Sequence, residues 1–228
     1  MDLEILYEDN HIIAINKPNN ILVQPDTSGD VSLEELVKRY IKEKYNKPGE
    51  VFLGVPHRLD RPVSGVILFA RTTKALTRLN EMFKTKDIHK IYWAIVKQQP
   101  NPETALLRHY IVRNTKTNKS TAHATQVPDS KEALLTYSTL ARSTTYTLLE
   151  VQLHTGRHHQ IRSQLAAIGS PIKGDLKYGF SRSNEGGGIS LHARRVEFIH
   201  PVSKQSVRIE AHVPNDTLWQ AMSELVGE

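Results

Sequence analysis

The sequence predicts an α+β fold built on a mostly antiparallel sheet. Strand-like runs outnumber helical ones, helices are not regularly interleaved between them, and the chain closes on two strand-like runs joined across a Pro-containing turn. At 228 residues there is room for one large domain or two small ones, and 39% apolar with 24% charged residues marks an ordinary globular protein.

In chain order, "HIIAIN" at 11–16 reads as a strand, and "NKPNNILVQPDTSGD" at 16–30, rich in Asn, Pro and Gly, as turns. "SLEELVKRYIKEKY" at 32–45 places apolar residues at 33, 36, 37, 40 and 41, a helical period, with Ser32 as its N-cap. "GVILFA" at 65–70 reads as a short buried strand. "TTKALTRLNEMFK" at 72–84 is an amphipathic helix capped by Thr72, with Ala75, Leu76, Leu79, Met82 and Phe83 on one face. "HKIYWAIVK" at 89–97 and "YTLLEVQL" at 146–153 read as strands. Residues 157–168 read as a helix stopped by Gly169 and Pro171, "SRSNEGGG" at 181–188 as a flexible loop, and 190–199 and 206–213 as the closing strands. Neither loop-rich stretch resembles a linker, so residues 1–228 are expected to form a single domain.

The composition excludes several classes of function. There is no cysteine, hence no disulfide, thiolate metal site, iron–sulfur cluster or Cys nucleophile. The longest apolar runs are too short to cross a bilayer, and the acidic start "MDLEILYEDN" lacks the layout of a secretory signal. A cytoplasmic protein without a membrane partner is expected, and a monomer. Net charge is +6, and residues 151–210, with nine Lys or Arg against four acids, carry +5 of it. Residues 108–126 add four basic residues and no acid. Such concentration suits a phosphate-rich partner, although a merely solvated basic face has the same composition.

Three places can carry chemistry. In "HRLDRPVSG" at 57–65, Asp60 stands between Arg58 and Arg61, just ahead of a Ser-Gly turn into a buried strand. Two flanking guanidinium groups favour the carboxylate over the acid, which suits a nucleophile; a structural ion pair explains the same residues. In "LHTGRHHQIRSQL" at 153–165, a turn at Thr155-Gly156 leads into a helix whose first turn would hold Arg157, His158 and His159. Cations there oppose the helix dipole, which makes sense if an anion is received at that end. Arg162, one turn on from His158 and close to the stripe Ile161, Leu165 and Ile168, is expected to be partly buried and to seek a carboxylate, for which Asp60 is a candidate. His154 and His158 have a helical ligand spacing, but the turn between them breaks it, so no metal is expected. Tyr92 lies in "KIYWAIVK" on the strand face opposite Ile91, Trp93 and Ile95. It reads either as core or as an aromatic platform for a base.

These blocks resemble the RluA-type pseudouridine synthases. "HRLDRPVSGVILFART" is similar to the family's signature, "GRHHQIRSQL…GSPIKGDLKYG" to its second block, "ISLHARRVEFIHP" to its third and "ILYEDNHIIAINKP" to its start, in the family's order and over nearly the whole chain. The resemblance implies a pseudouridine synthase core, a curved, mixed and mostly antiparallel sheet with flanking helices and a central cleft. It implies isomerisation of chosen uridines in structured ribosomal or transfer RNA, with no cofactor. Asp60 matches the catalytic aspartate, Tyr92 the tyrosine beside the target base, and Arg162 the arginine that pairs with the carboxylate. Arg58 matches a residue that holds the RNA open, and Leu191 is assigned to the pocket. Arg61, Arg157, His158, His159, Lys173, Lys177, Arg194 and Arg195 are expected to contact RNA. The physics agrees: a stacked uridine must leave the stem before a carboxylate can reach it, and phosphate contacts and stacking must offset that cost.

Two departures stand out. Pro62-Val63 replaces the family's usual Thr before Ser-Gly, removing a possible turn hydrogen bond while Pro62 stiffens the turn. The catalytic pattern also starts within the first ten residues, so no N-terminal S4-type domain is expected. A non-catalytic RNA-binding relative is the alternative function. A glycoside hydrolase would need two opposed carboxylates, and the second on offer, Asp175 in "KGDLKYG", reads better as a structural turn.

Overall fold

Ten strands and four α-helices form among residues 3–227, the residues described by the computed structural model. They fall into two compact units, Met1–Ile88 with Ala193–His212, and His89–His192 with Val213–Glu228. Seven of the strand pairings are antiparallel.

The first unit orders its strands β1 (Ile5–Glu8), β2 (Ile12–Lys17), β3 (Ser64–Ala70), β9 (Leu191–Ile199, from Ala193 on) and β10 (Ser206–Glu210). β3 is buried at every position, as expected of a continuous apolar run in mid-sheet. Helix α1 (Leu33–Lys44) starts at the predicted Ser32 with a full capping box to Glu35, and α2 (Thr73–Thr85) starts at Thr72. One core joins Ile12, Val66 and Leu68 of the sheet to Leu79 of α2 and to Phe198 and Ile209.

The second unit orders its strands β4 (His89–Val96), β8 (Thr147–Leu153), β7 (Lys131–Arg142), β5 (Thr104–Asn114) and β6 (Lys119–His123). Helix α3 spans Gln160–Ala167, a 3-10 turn follows at Leu176–Tyr178, and α4 spans Thr217–Glu224 behind an Asp216 cap. Trp93 and Ile95 pack with Leu148, Trp219 and Met222. That is the strand face predicted to oppose Tyr92. Strands β1, β5, β6 and β7 and helix α4 were not expected from the sequence.

Candidate active site

Asp60 sits on the loop between the Gly54–Ala70 bridge and β3, and main-chain bonds hold that loop. Val63 N–H donates to the Asp60 carbonyl at 3.0 Å, and Asn20 N–H donates to the Arg61 carbonyl at 2.9 Å. His57 Nε2 accepts from Leu68 N–H at 2.9 Å, and its ring lies 4.5 Å from that of Phe83. Val63 is 2% exposed, so the side chain that replaces a threonine serves as core. Gly65 has φ of +110°, and a Cβ there would lie 2.3 Å from the Ala193 carbonyl oxygen. Only glycine lets β3 lie this close to β9.

Beneath the loop is Lys17, fully buried at the end of β2. Its Nζ donates to the carbonyls of Pro18 (3.0 Å), Ile21 (3.0 Å) and Arg61 (3.1 Å). Burial pushes its pKa down to about 7, against the pull of the Asp60 carboxylate and with a further push from Arg61. The arginines flanking Asp60 do not pair with it. Arg61 turns to Asp30, Nη2 to Oδ2 at 2.8 Å, and donates to the Asn20 carbonyl; Arg58 is exposed with no ion-pair partner among the described residues. The local ion pair that the nonapeptide suggested is therefore not formed. Arg194 is 8% exposed and donates to the Ala211 carbonyl, while Arg195 is engaged by Glu197 and Glu210.

In the second unit, α3 begins at Gln160 and not at 157. His159 has a left-handed φ of +52°, which no helix can continue back through. The Gln160 Oε1 accepts from Arg157 N–H at 3.0 Å and from the Thr155 hydroxyl at 2.8 Å, folding 155–159 into a turn. Arg157, His158 and His159 therefore precede the helix, and the expected cation-bearing first turn does not exist. Arg157 remains exposed, with Nε on the Glu132 carbonyl, and Lys177 reaches the Asn118 carbonyl. His159 is buried, its Nδ1 2.9 Å from the Tyr178 hydroxyl, and stacks on His158, whose Nδ1 is 2.9 Å from Ser120 Oγ. His154 engages Thr136 Oγ1, and among the described residues no group of three or more His, Asp or Glu side chains could hold a metal ion.

Arg162 is 5% exposed, as its place beside the apolar stripe predicted. Asp175 grips it in a fork, Nε to Oδ2 at 2.7 Å and Nη2 to Oδ1 at 2.9 Å. The Asp175 main chain also builds the turn that the sequence reading assigned to it, bonding Ile172, Tyr178 and Phe180. The Tyr178 ring lies 5.0 Å from the guanidinium carbon, and its hydroxyl accepts from Ser120 N–H at 2.8 Å. Tyr92 is buried in β4 opposite Val151, and Leu191 is also buried. Lys90 shares the strand face of Tyr92, and burial pushes its pKa down. Lys173 binds Asn184 Oδ1 at 2.6 Å.

Sequence reasoning missed Lys17, Lys90 and Tyr178. Of these, Lys90 had a legible signal, a cation placed in a strand-like run.

A model of the RNA pseudouridylate synthase family matches residues 11–167. The chain is 33% identical to ribosomal large subunit pseudouridine synthase D of Xanthomonas campestris, over 98% of this chain and 69% of that one. It is 31% identical to tRNA pseudouridine synthase C of Vibrio vulnificus, over 97% and 94% respectively. Among solved structures, human RNA pseudouridylate synthase domain containing 4 shares the fold with a TM-score of 0.79 at 23% identity, over 98% of this chain and 92% of that one. The chain belongs to the RNA pseudouridylate synthase family, isomerases that convert uridine in RNA to pseudouridine.

Proposed function

We propose that Asp60 is the catalytic carboxylate of this pseudouridine synthase, that Tyr92 and Arg162 serve it, and that the substrate is a uridine in ribosomal or transfer RNA. The observation that carries the reading is the Asp60 loop. A carboxylate stands on a segment fixed by main-chain bonds and leading into a fully buried strand, with a buried lysine below it whose ammonium bonds the next residue's carbonyl. Loops fixed on rigid strands are where catalytic groups tend to lie. Relatives named for ribosomal and for transfer RNA are similarly close, so both RNAs stay within the proposal.

In the reaction the base leaves C1′ through N1 and rejoins it through C5; C5 gives up its proton and N1 gains one. The atoms balance without an external reductant or oxidant. Asp60 acts unprotonated, whether on the base, on the sugar, or by promoting elimination. Arg162 is held in its fork by Asp175, which presents the rest of the guanidinium in one orientation. Tyr92 offers a ring on which a flipped base stacks. Exposed Arg58, Arg61, Arg157 and Lys177 supply phosphate contacts, with His158, Lys173, Arg194 and Arg195 as further candidates. Buried His159 orders the turn, and Leu191 lines the pocket. The reading takes residues 1–228 as one catalytic domain acting as a cytoplasmic monomer; no helix among the described residues is long and apolar enough to cross a membrane.

The test is tritium release from RNA labelled at uridine C5, with total transfer RNA and with ribosomal RNA. The native protein is expected to release tritium from one of them, and Asp60→Asn to release none while still binding it. RNA binding without release by the native protein would reject the reading in favour of a non-catalytic relative.

A further inference from the structure

The second unit holds a cavity of about 490 Å³ away from Tyr92. Tyr92 lies five residues before the lining residue Lys97, roughly 17 Å along an extended chain. Lys97 follows the last residue of β4, and Tyr146 precedes the first residue of β8; Val96 pairs with Thr147, so the register sets Lys97 and Tyr146 opposite each other. Lys173 is tied to the same strand end by its N–H on the Ile95 carbonyl, and its Nζ stands 6.0 Å from the Tyr146 ring centre. Phe180, Arg182 and two serines complete the lining.

The lining is unusual in its chemistry. It holds three cations, two aromatic rings and two serine hydroxyls, and no carboxylate. Among the described residues neither Lys97 nor Arg182 has an ion-pair or hydrogen-bond partner, and both are exposed. Part of the wall is held by hydrogen bonds. Tyr146 closes a turn by donating its N–H to Ser143 Oγ at 3.0 Å. Asn184 is pinned between Lys173 and Ser190 Oγ, and a Cβ on Gly174 would come within 2.6 Å of it. The loop read from sequence as flexible is thus anchored at Asn184. A volume near 490 Å³ falls in the roughly 300–1,000 Å³ range of ligand sites. Cations that accept phosphate beside rings that accept a base face are how proteins hold single-stranded nucleic acid.

We propose that this cavity binds one unpaired nucleotide of the RNA substrate, distinct from the nucleotide presented to Tyr92. Its base stacks on Tyr146 or Phe180, and its phosphate is held by Lys97, Lys173 and Arg182. Choosing RNA rather than a free nucleotide as the source rests on the proposed activity.

The full-length protein is titrated with fluorescent single-stranded decauridine, in its native form and as Lys97→Ser/Arg182→Ser and Tyr146→Leu. Lys97 and Arg182 are exposed, and an unchanged urea midpoint shows that the double variant folds. Each variant is expected to weaken binding about tenfold, and the double variant to lower the salt slope by about 0.7, the figure for one phosphate contact on a single strand. Decauridine carrying 4-thiouridine is expected to cross-link to Tyr146 or to residues 180–183. With labelled RNA, the double variant is expected to raise KM and spare kcat. Unchanged affinity and salt slope, with cross-links only elsewhere, overturn the proposal even if the native enzyme releases tritium, and the activity then stands alone. Lost binding in the variants supports the cavity even if no tritium is released, and the activity then fails alone. Displacement of decauridine by uridine monophosphate at equal concentration overturns RNA as the source.

Discussion

Around Asp60, the bonds that shape the loop each end on a main-chain atom: the Asp60, Arg61, Pro18 and Ile21 carbonyls accept from the Val63 and Asn20 N–H groups and from Lys17 Nζ, and Leu68 N–H donates to the His57 ring. Around Arg162, the corresponding bonds run through side chains: the Asp175 carboxylate, the Tyr178 hydroxyl, the Gln160 amide, the Thr155 hydroxyl and the His159 ring. A loop whose bonds end on its own backbone tolerates a changed side chain, and Val63 here is core, 2% exposed. A corner held by buried side chains has no such slack, because each deletion leaves a polar group without its partner in a region closed to water.

The largest break in this contrast should come from Asp175→Ala. It removes both fork bonds from a guanidinium 5% exposed, and losing one partner of a buried pair typically costs about 3–5 kcal/mol. Urea unfolding should show a loss of that size, and Asp175→Asn, which keeps the shape and part of the bonding, should lose less. A loss below about 1 kcal/mol would mean that the corner has slack after all. Next comes Gly65→Ala, the exception on the tolerant side. Its backbone conformation and the Ala193 carbonyl both oppose a Cβ, and strain with overpacking together should cost about 3 kcal/mol. Val63→Thr, two residues earlier, should cost less, which a shared denaturation series would show.

The same contrast explains what could be read from the sequence. Helices α1 and α2 were legible to the residue at their starts, because Ser32 and Thr72 cap by local side-chain bonds and the apolar period is uninterrupted. The α3 start was not legible, because a left-handed histidine has no sequence signature and Gln160 bonds back into the turn that precedes the helix. Strand β7 alternates Ala133, Leu135 and Tyr137 inward, but β5 and β6 present Arg108, Arg113 and Lys119 along their length. Read as a basic stretch, they lost their strand period among the charges. Arg162 was legible as a buried cation wanting an acid. Asp175, thirteen residues on, was not, because nothing local brings the two together except the turn that Asp175 itself builds. Lys17 hid in a strand because its function is to bond carbonyls, and carbonyls leave no trace in side-chain patterns.

Lys17 gives a pH test of the backbone-held side. Its pKa falls from 10.5 in the open chain to about 7 in the fold. Between those values the unfolded chain holds a proton that the folded one lacks, so this group makes stability rise with pH across the window, by at most about 1.4 kcal/mol per pH unit. Below pH 7 both states are protonated and the contribution is flat. Lys17→Met should be less stable at every pH, since three carbonyls lose their donor, and should lack this rise. The native-minus-variant difference, measured by urea midpoint at pH 7, 8 and 9, is expected to widen. A constant difference would mean that the three carbonyls keep the ammonium charged throughout.

The smallest effect sharpens the side-chain half. Tyr178→Phe keeps the ring that faces Arg162 and removes only the hydroxyl shared by Ser120 N–H and His159 Nδ1. Two buried groups then lose a partner, but the cavity is no larger than one oxygen and the ring still packs. A loss of about 1–2 kcal/mol is expected. Because the hydroxyl joins β6 to the left-handed turn before α3, the loss should be local: amide exchange at Ser120 should quicken while β8 stays protected. Uniform loss of protection across the second unit would instead make this corner the unit's keystone, with the Arg162 fork depending on Tyr178 as much as on Asp175.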